Sequence, residues 1–147
     1  MLQYKKIRGE VILAICVKCG KELRSCDYHG IKFSICSNCN TVVITNENLN
    51  LIAQALDKSA QPMDLFSRNA IESQESVRKC SVCGNDMDKI VYNDVLIDRC
   101  HKCNLLLFDN GELSKYFSKN CKLPIEVMSN VMFIRTYCSN ANYETDA

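Results

Sequence analysis

Cys80-Ser81-Val82-Cys83-Gly84 and Cys100-His101-Lys102-Cys103-Asn104 stand with sixteen residues between Cys83 and Cys100. Sixty-four residues earlier the same figure reads Cys16-Val17-Lys18-Cys19-Gly20, sixteen residues, then Cys36-Ser37-Asn38-Cys39-Asn40. Two cysteines separated by two residues can aim both sulfurs at one ion, and N–H groups of the intervening turn spread the thiolate charge. The residue after the second ligand often needs a positive φ, which Gly20 and Gly84 adopt freely and Asn40 and Asn104 tolerate. Four soft thiolates in a tetrahedron favour zinc or iron, and a site filled by four protein ligands leaves no position at which to activate water. The expected ligands are therefore Cys16, Cys19, Cys36 and Cys39 for one Zn2+, and Cys80, Cys83, Cys100 and Cys103 for a second.

Eleven cysteines in 147 residues demand metal or disulfides. A secreted disulfide scaffold follows a signal peptide, whereas here Lys5, Lys6 and Arg8 precede a short apolar run, Val11 to Val17, that leads straight into the first Cys pair. No run approaches the roughly 20 apolar residues that span a bilayer. The expectation is a soluble chain in the cytoplasm or another reducing compartment, where thiols hold metal rather than each other. Hydrophobic residues make up 47% of the chain, which excludes a disordered class. Formal net charge is +1, with residues 1–44 at +4 (seven basic, three acidic) and residues 80–147 at −2 (seven basic, nine acidic). Two filled Zn(Cys)4 sites, each contributing −2, take the whole chain to about −3, far from the strong basicity of a general nucleic-acid binder.

Taken in order, residues 1–56 read as a first metal-stapled unit. Its basic start reads as a solvated tail, or as a contact for an anionic surface, and a strand over Glu10–Ile15 follows. A hairpin turning at His29-Gly30 lies between the Cys pairs, with Ile31, Phe33 and Ile35 at strand period. Thr41–Ile44 gives a third strand, Thr45 a helix N-cap, and Leu49, Ile52, Ala53 and Leu56 an apolar helix face. Residues 57–79 read as a linker, with room for a short helix at Met63–Ile71. Residues 80–120 repeat the plan: a hairpin at Asn93-Asp94, a strand at Leu105–Phe108, and a capping box with Asp109 at the N-cap and Glu112 reaching back. Residues 121–147 form a C-terminal extension that fits a helix from Pro124 or a strand at Val131–Ile134 equally.

Offset by 64, residues 16–53 lie over 80–117 without a gap, and five of the nine identities are not cysteine: Gly20/Gly84, Tyr28/Tyr92, Asn40/Asn104, Asn46/Asn110 and Leu49/Leu113. The chain is thus a tandem repeat. The fold class expected is a small metal-stapled α+β protein of two ribbons, each a three-stranded antiparallel sheet followed by a helix. At roughly 40 residues a unit needs its ion, because so small a core rarely suffices alone. The gapless repeat favours two self-contained sites over ligand pairs interleaved between two ions.

The second unit resembles the transcription factor IIB-type zinc-ribbon family. It carries Cys80-x-x-Cys83-Gly84, Ile97-Asp98-Arg99-Cys100-x-x-Cys103, Leu107-Phe108-Asp109 and Gly111-Glu112-Leu113. It departs from that pattern where Ser81 replaces Pro, Asn104-Leu105 replaces Gly-Gly, and the third strand lacks Trp. The first unit is more divergent, with Thr45–Leu49 at the helix opening. The resemblance implies a zinc-binding ribbon with a trailing helix; it implies neither a transcription role nor a polymerase partner.

No phosphate loop, paired carboxylates or nucleophile with a partner base is present in the sequence, so no catalytic residue is assigned. His101, between two ligands, and His29, in a turn, read as bystanders; Cys26, Cys121 and Cys138 remain after eight ligands, as plain thiols or, for the last two, a disulfide or part of a third site. The leading functional expectation is a non-enzymatic protein–protein adaptor. Nucleic-acid binding through the basic N-terminal half is the alternative, and rubredoxin-like electron transfer by iron a third.

Overall fold

The computed structural model describes residues 4–7, 10–73 and 76–122, with side chains from Ile15 onward. Cys138 and both readings of the C-terminal extension beyond Lys122 lie outside the described residues.

The first unit begins with a small antiparallel pair, β1 (Tyr4–Ile7) and β2 (Glu10–Ala14), with a register shift between Lys5 and Lys6. The basic start is therefore strand backbone and not a tail. A hairpin follows, β3 (Leu23–Tyr28) and β4 (Ile31–Cys36), then β5 (Val42–Thr45) and α1 (Asn46–Leu56). The second unit runs β6 (Asp88–Tyr92), β7 (Val95–Cys100), β8 (Leu105–Phe108) and α2 (Glu112–Asn120). Both hairpins turn on two residues of positive φ, His29 (51°) with Gly30 (88°) and Asn93 (51°) with Asp94 (66°), matching the twist of the paired strands.

The two three-stranded sheets are one. Their third strands pair antiparallel, giving the six-stranded order β3-β4-β5-β8-β7-β6. The hairpin and third-strand registers recur at the 64-residue offset: Arg24↔Ile35 answers Asp88↔Arg99, and Ser34↔Val43 answers Asp98↔Leu107. Both helices cover one face. There Phe33, Ile35, Ile44, Ile90, Ile97, Leu106 and Phe108 meet Leu49 and Ile52 of α1 and Leu113, Tyr116 and Phe117 of α2 in a single core. Burying such side chains contributes about 1.5–3 kcal/mol each.

Thr45 caps α1 as its position suggests, its hydroxyl accepting from the Asn48 N–H at 3.1 Å, an arrangement that contributes about 1 kcal/mol. The expected capping box on α2 does not form. Gly111, at φ 88°, is the N-cap and supplies no side-chain bond. Glu112 Oε2 instead accepts from the Leu96 N–H at 3.0 Å, tying the helix to β7, while the Asp109 carboxylate accepts from Arg78 at 2.6 Å. The Arg78 guanidinium holds the Asp109 carboxylate in an ion pair, and the N-cap position falls to Gly111.

Met63–Ile71 forms turns and an isolated bridge rather than a short helix. Two asparagines one turn apart on α1 hold it. Met63 donates its N–H to Asn50 Oδ1 (3.0 Å) and accepts from Asn50 Nδ2 (2.7 Å), and Leu65 donates to Asn46 Oδ1 (3.1 Å). Leu65 is thereby fully buried in the shared core. From the other side Arg99, buried where the first unit has Ile35, donates Nη1 to the carbonyls of Leu65 and Arg68, both at 2.7 Å.

Candidate metal centres

Each centre is assembled from two Cys-x-x-Cys turns delivered by one hairpin. The first turn of each unit is closed by paired backbone bonds: Cys16 N–H to Lys21 O (2.8 Å) and Gly20 N–H to Cys16 O (2.9 Å), matched by Cys80 to Asn85 O (2.8 Å) and Gly84 to Cys80 O (3.0 Å). At the end of β4, Cys36 donates to Thr41 O (2.9 Å) and Asn40 to Cys36 O (2.8 Å). The residues closing the four turns all have positive φ: Gly20 80°, Asn40 64°, Gly84 78° and Asn104 60°. Gly and Asn occupy these places because a Cβ with a bulkier branch resists this conformation.

The eight sulfurs form two quartets, Cys16/Cys19/Cys36/Cys39 and Cys80/Cys83/Cys100/Cys103, and within each the sulfurs lie within 4.8 Å of one another. The quartets are self-contained; no ligand pair is exchanged between units. Cys16–Cys39 is 3.6 Å, Cys19–Cys36 3.3 Å and Cys83–Cys100 3.6 Å. A disulfide needs about 2.05 Å. A tetrahedron with metal–sulfur bonds of about 2.3 Å has edges of about 3.8 Å, so the separations fit sulfurs surrounding one ion. Each quartet can hold one zinc, two per chain.

The electrostatics demand a cation. Burial pushes the thiols of Cys16, Cys36 and Cys80 up, and burial together with the neighbouring sulfurs pushes Cys103 up. At Cys19 burial is outweighed by the Lys21 N–H, the Asn38 side chain and the adjacent thiols, leaving it at about 6. At Cys83 the Asn85 N–H and the three partner thiols likewise outweigh burial, leaving it at about 7. Four thiolate charges within 4.8 Å of one another repel, so the full four-thiolate state calls for a bound dication. Both quartets alternate buried and partly exposed ligands in the same order, Cys16 and Cys36 inside, Cys19 and Cys39 at the rim, and so on at the offset.

Groups the ligand pattern did not disclose surround the sulfurs. The Thr41 hydroxyl lies 3.1 Å from Cys39 Sγ, placed to donate to a thiolate, and Val82 N–H donates to Cys80 Sγ at 3.4 Å. Thr41, read as the start of the third strand, is fully buried just before β5, and the ligand spacing gives its hydroxyl no role. His101 is not among the ligands: Nε2 lies 2.9 Å from Asp88 Oδ2, and the ring stands edge-on to Phe66. Cys26 and Cys121 lie apart from both quartets, in the helix-side core.

The sheet face opposite the helices carries charge as well. Lys89 and Asp98 form a buried ion pair, extended by Arg78 Nη1 to Asp98 Oδ2 at 3.1 Å and to Asp109 at 2.6 Å, and by Lys18 to Asp109 at 3.7 Å.

Residues 79–119 match the family model described as a transcription factor zinc-finger, the zinc ribbon of transcription factor IIB type. The matched segment is the second unit, and the first quartet repeats its ligand geometry. No curated protein matches the chain, and no solved structure does.

Proposed function

We propose that the protein is a non-catalytic interaction module, a cytoplasmic protein–protein adaptor whose two zinc ribbons form one rigid platform. The observation that carries this reading is that all eight ligand positions are filled by protein sulfurs in two closed quartets, which leaves metal to staple the fold and not to bind substrate. The charge supports a protein partner over nucleic acid. Two basic groups of the first unit are engaged in ion pairs, Lys18 with Asp109 and Lys32 with Asp27, each at 3.7 Å, in a chain whose formal net charge is only +1. Among the described residues no helix is long and apolar enough to cross a membrane.

The test is affinity purification of the zinc-loaded full chain from its own cells with nuclease treatment, followed by mass spectrometry. The adaptor reading expects a stoichiometric protein partner that survives nuclease and is lost on chelation. Retention on DNA or RNA that weakens steeply with salt, without such a partner, would instead favour nucleic-acid binding. A colourless protein containing zinc removes the iron electron-carrier reading.

A further inference from the structure

We infer that the two quartets load metal cooperatively, so that filling either raises the affinity of the other. The inference concerns metal binding alone and does not depend on which partner the platform serves.

Three connections carry it. First, the quartets share one apolar cluster on the sheet face opposite the helices: Cys16, Leu23, Cys36 and Val43 of the first unit pack with Cys80, Met87, Cys100 and Leu107 of the second. Second, each unit's leading Cys-x-x-Cys turn leans on the other unit. Lys18, inside the first turn, reaches Asp109 at 3.7 Å. Ser81 and Val82, inside the second turn, line a groove of about 220 Å3 together with Leu23, Ser34 and Val43. Third, the backbone of the second centre is bonded to the first unit's helix start. Asn104, directly after the ligand Cys103, accepts at its carbonyl from the Asn46 N–H at 3.4 Å, beside the paired Thr45 and Leu105.

A unit of roughly 40 residues has too small a core to hold its two Cys-x-x-Cys turns in place by itself. Losing one metal therefore loosens β5 or β8, the strand that the other unit pairs with and whose Val43 or Leu107 packs in the cluster around both quartets. A site that is competent only part of the time binds with its affinity reduced by that fraction, and the first ion removes the reduction for the second.

The test is a competition titration of the reduced apo full chain with zinc against a chromophoric chelator, with cobalt(II) as a spectroscopic probe of thiolate ligation. The first centre's affinity is read in the wild-type chain and in Cys100→Ser/Cys103→Ser; the second centre's is read in Cys36→Ser/Cys39→Ser. Cooperativity predicts at least about a tenfold loss in each variant, and by linkage the same factor in both directions. Val43→Ala leaves all eight ligands in place and should reduce that factor while both centres still fill. Equal affinities in wild type and variants overturn the coupling alone. A wild-type chain with no cobalt–thiolate absorption overturns metal binding, and the coupling with it.

Discussion

Val43 stands directly opposite Leu107 in the β5–β8 pairing, and the two are equivalent positions of the 64-residue repeat. The flanking pairs exchange accordingly: Val42↔Phe108 becomes Ile44↔Leu106 when each residue is replaced by its counterpart. A local two-fold axis therefore passes between Val43 and Leu107, and the repeat behaves as a dimer joined covalently. Two edges that would be open in isolated ribbons are consumed by this pairing. Leu107 is 2% exposed on the metal side of the sheet, so Leu107→Ala leaves a cavity at the axis and should destabilise the zinc-loaded chain by about 2–5 kcal/mol. Chemical denaturation reads this; an unchanged midpoint would mean that the two ribbons do not share that cluster.

Arg99 breaks the local symmetry to hold the segment between the units. Besides its two carbonyl bonds it forks onto Asp88, Nε to Oδ1 at 2.7 Å and Nη2 to Oδ2 at 3.1 Å. Arg99→Ala leaves Asp88 with His101 alone and takes a buried donor from the Leu65 and Arg68 carbonyls, and should cost about 1–3 kcal/mol. Arg99→Lys keeps the charge but lacks the planar fork, so it should recover only part of the loss. Limited proteolysis between residues 63 and 73 should accelerate in both variants. Full recovery by Lys would show that charge alone, without the fork, secures the segment.

The two cysteine quartets, the turns, the hairpins and Thr45 were legible because each is fixed by short-range spacing and backbone chemistry. The joining of the sheets was not, although a trace of it is present. Val42–Thr45 and Leu105–Phe108 are apolar through nearly their whole length instead of alternating, the mark of strands covered on both faces. What covers them depends on contacts 64 residues away. Arg99 reads as an ordinary strand charge until the carbonyls of Leu65 and Arg68 are brought to it. Asp109 has the right spacing for a cap, and only the long-range approach of Arg78 and Lys18 redirects it. The Lys5–Lys6 strand was hidden by composition, since charge pattern alone does not distinguish a tail from a two-stranded edge.

Metal removal tests the energetic premise of the fold. Structural zinc contributes on the order of 10–16 kcal/mol of apparent binding energy in comparable small modules, more than the stability of most domains. Chelation at neutral pH under reducing conditions should therefore abolish the strand signal in circular dichroism, with two zinc ions released per chain. Zinc readdition should restore it. Retention of native dichroism after complete metal loss would show that the helix-side core suffices by itself.

Cys121 closes α2 against α1, with Sγ 3.6 Å from the Ala53 carbonyl. Burial, with the Asp57 charge adding to it, pushes its thiol from the ordinary 9.0 up to about 11. The folded chain therefore keeps this proton where the unfolded chain gives it up. The associated stability is complete below pH 9 and lost as pH rises towards 11, a slope that totals about 2–3 kcal/mol. Cys121→Ala removes this titration. The wild-type advantage over the variant in denaturant midpoint should shrink across that interval, and native Cys121 should react slowly with iodoacetamide at pH 8 while metal is bound. A constant difference between the two chains from pH 8 to pH 11 would place the thiol in contact with solvent, and the α1–α2 contact with it.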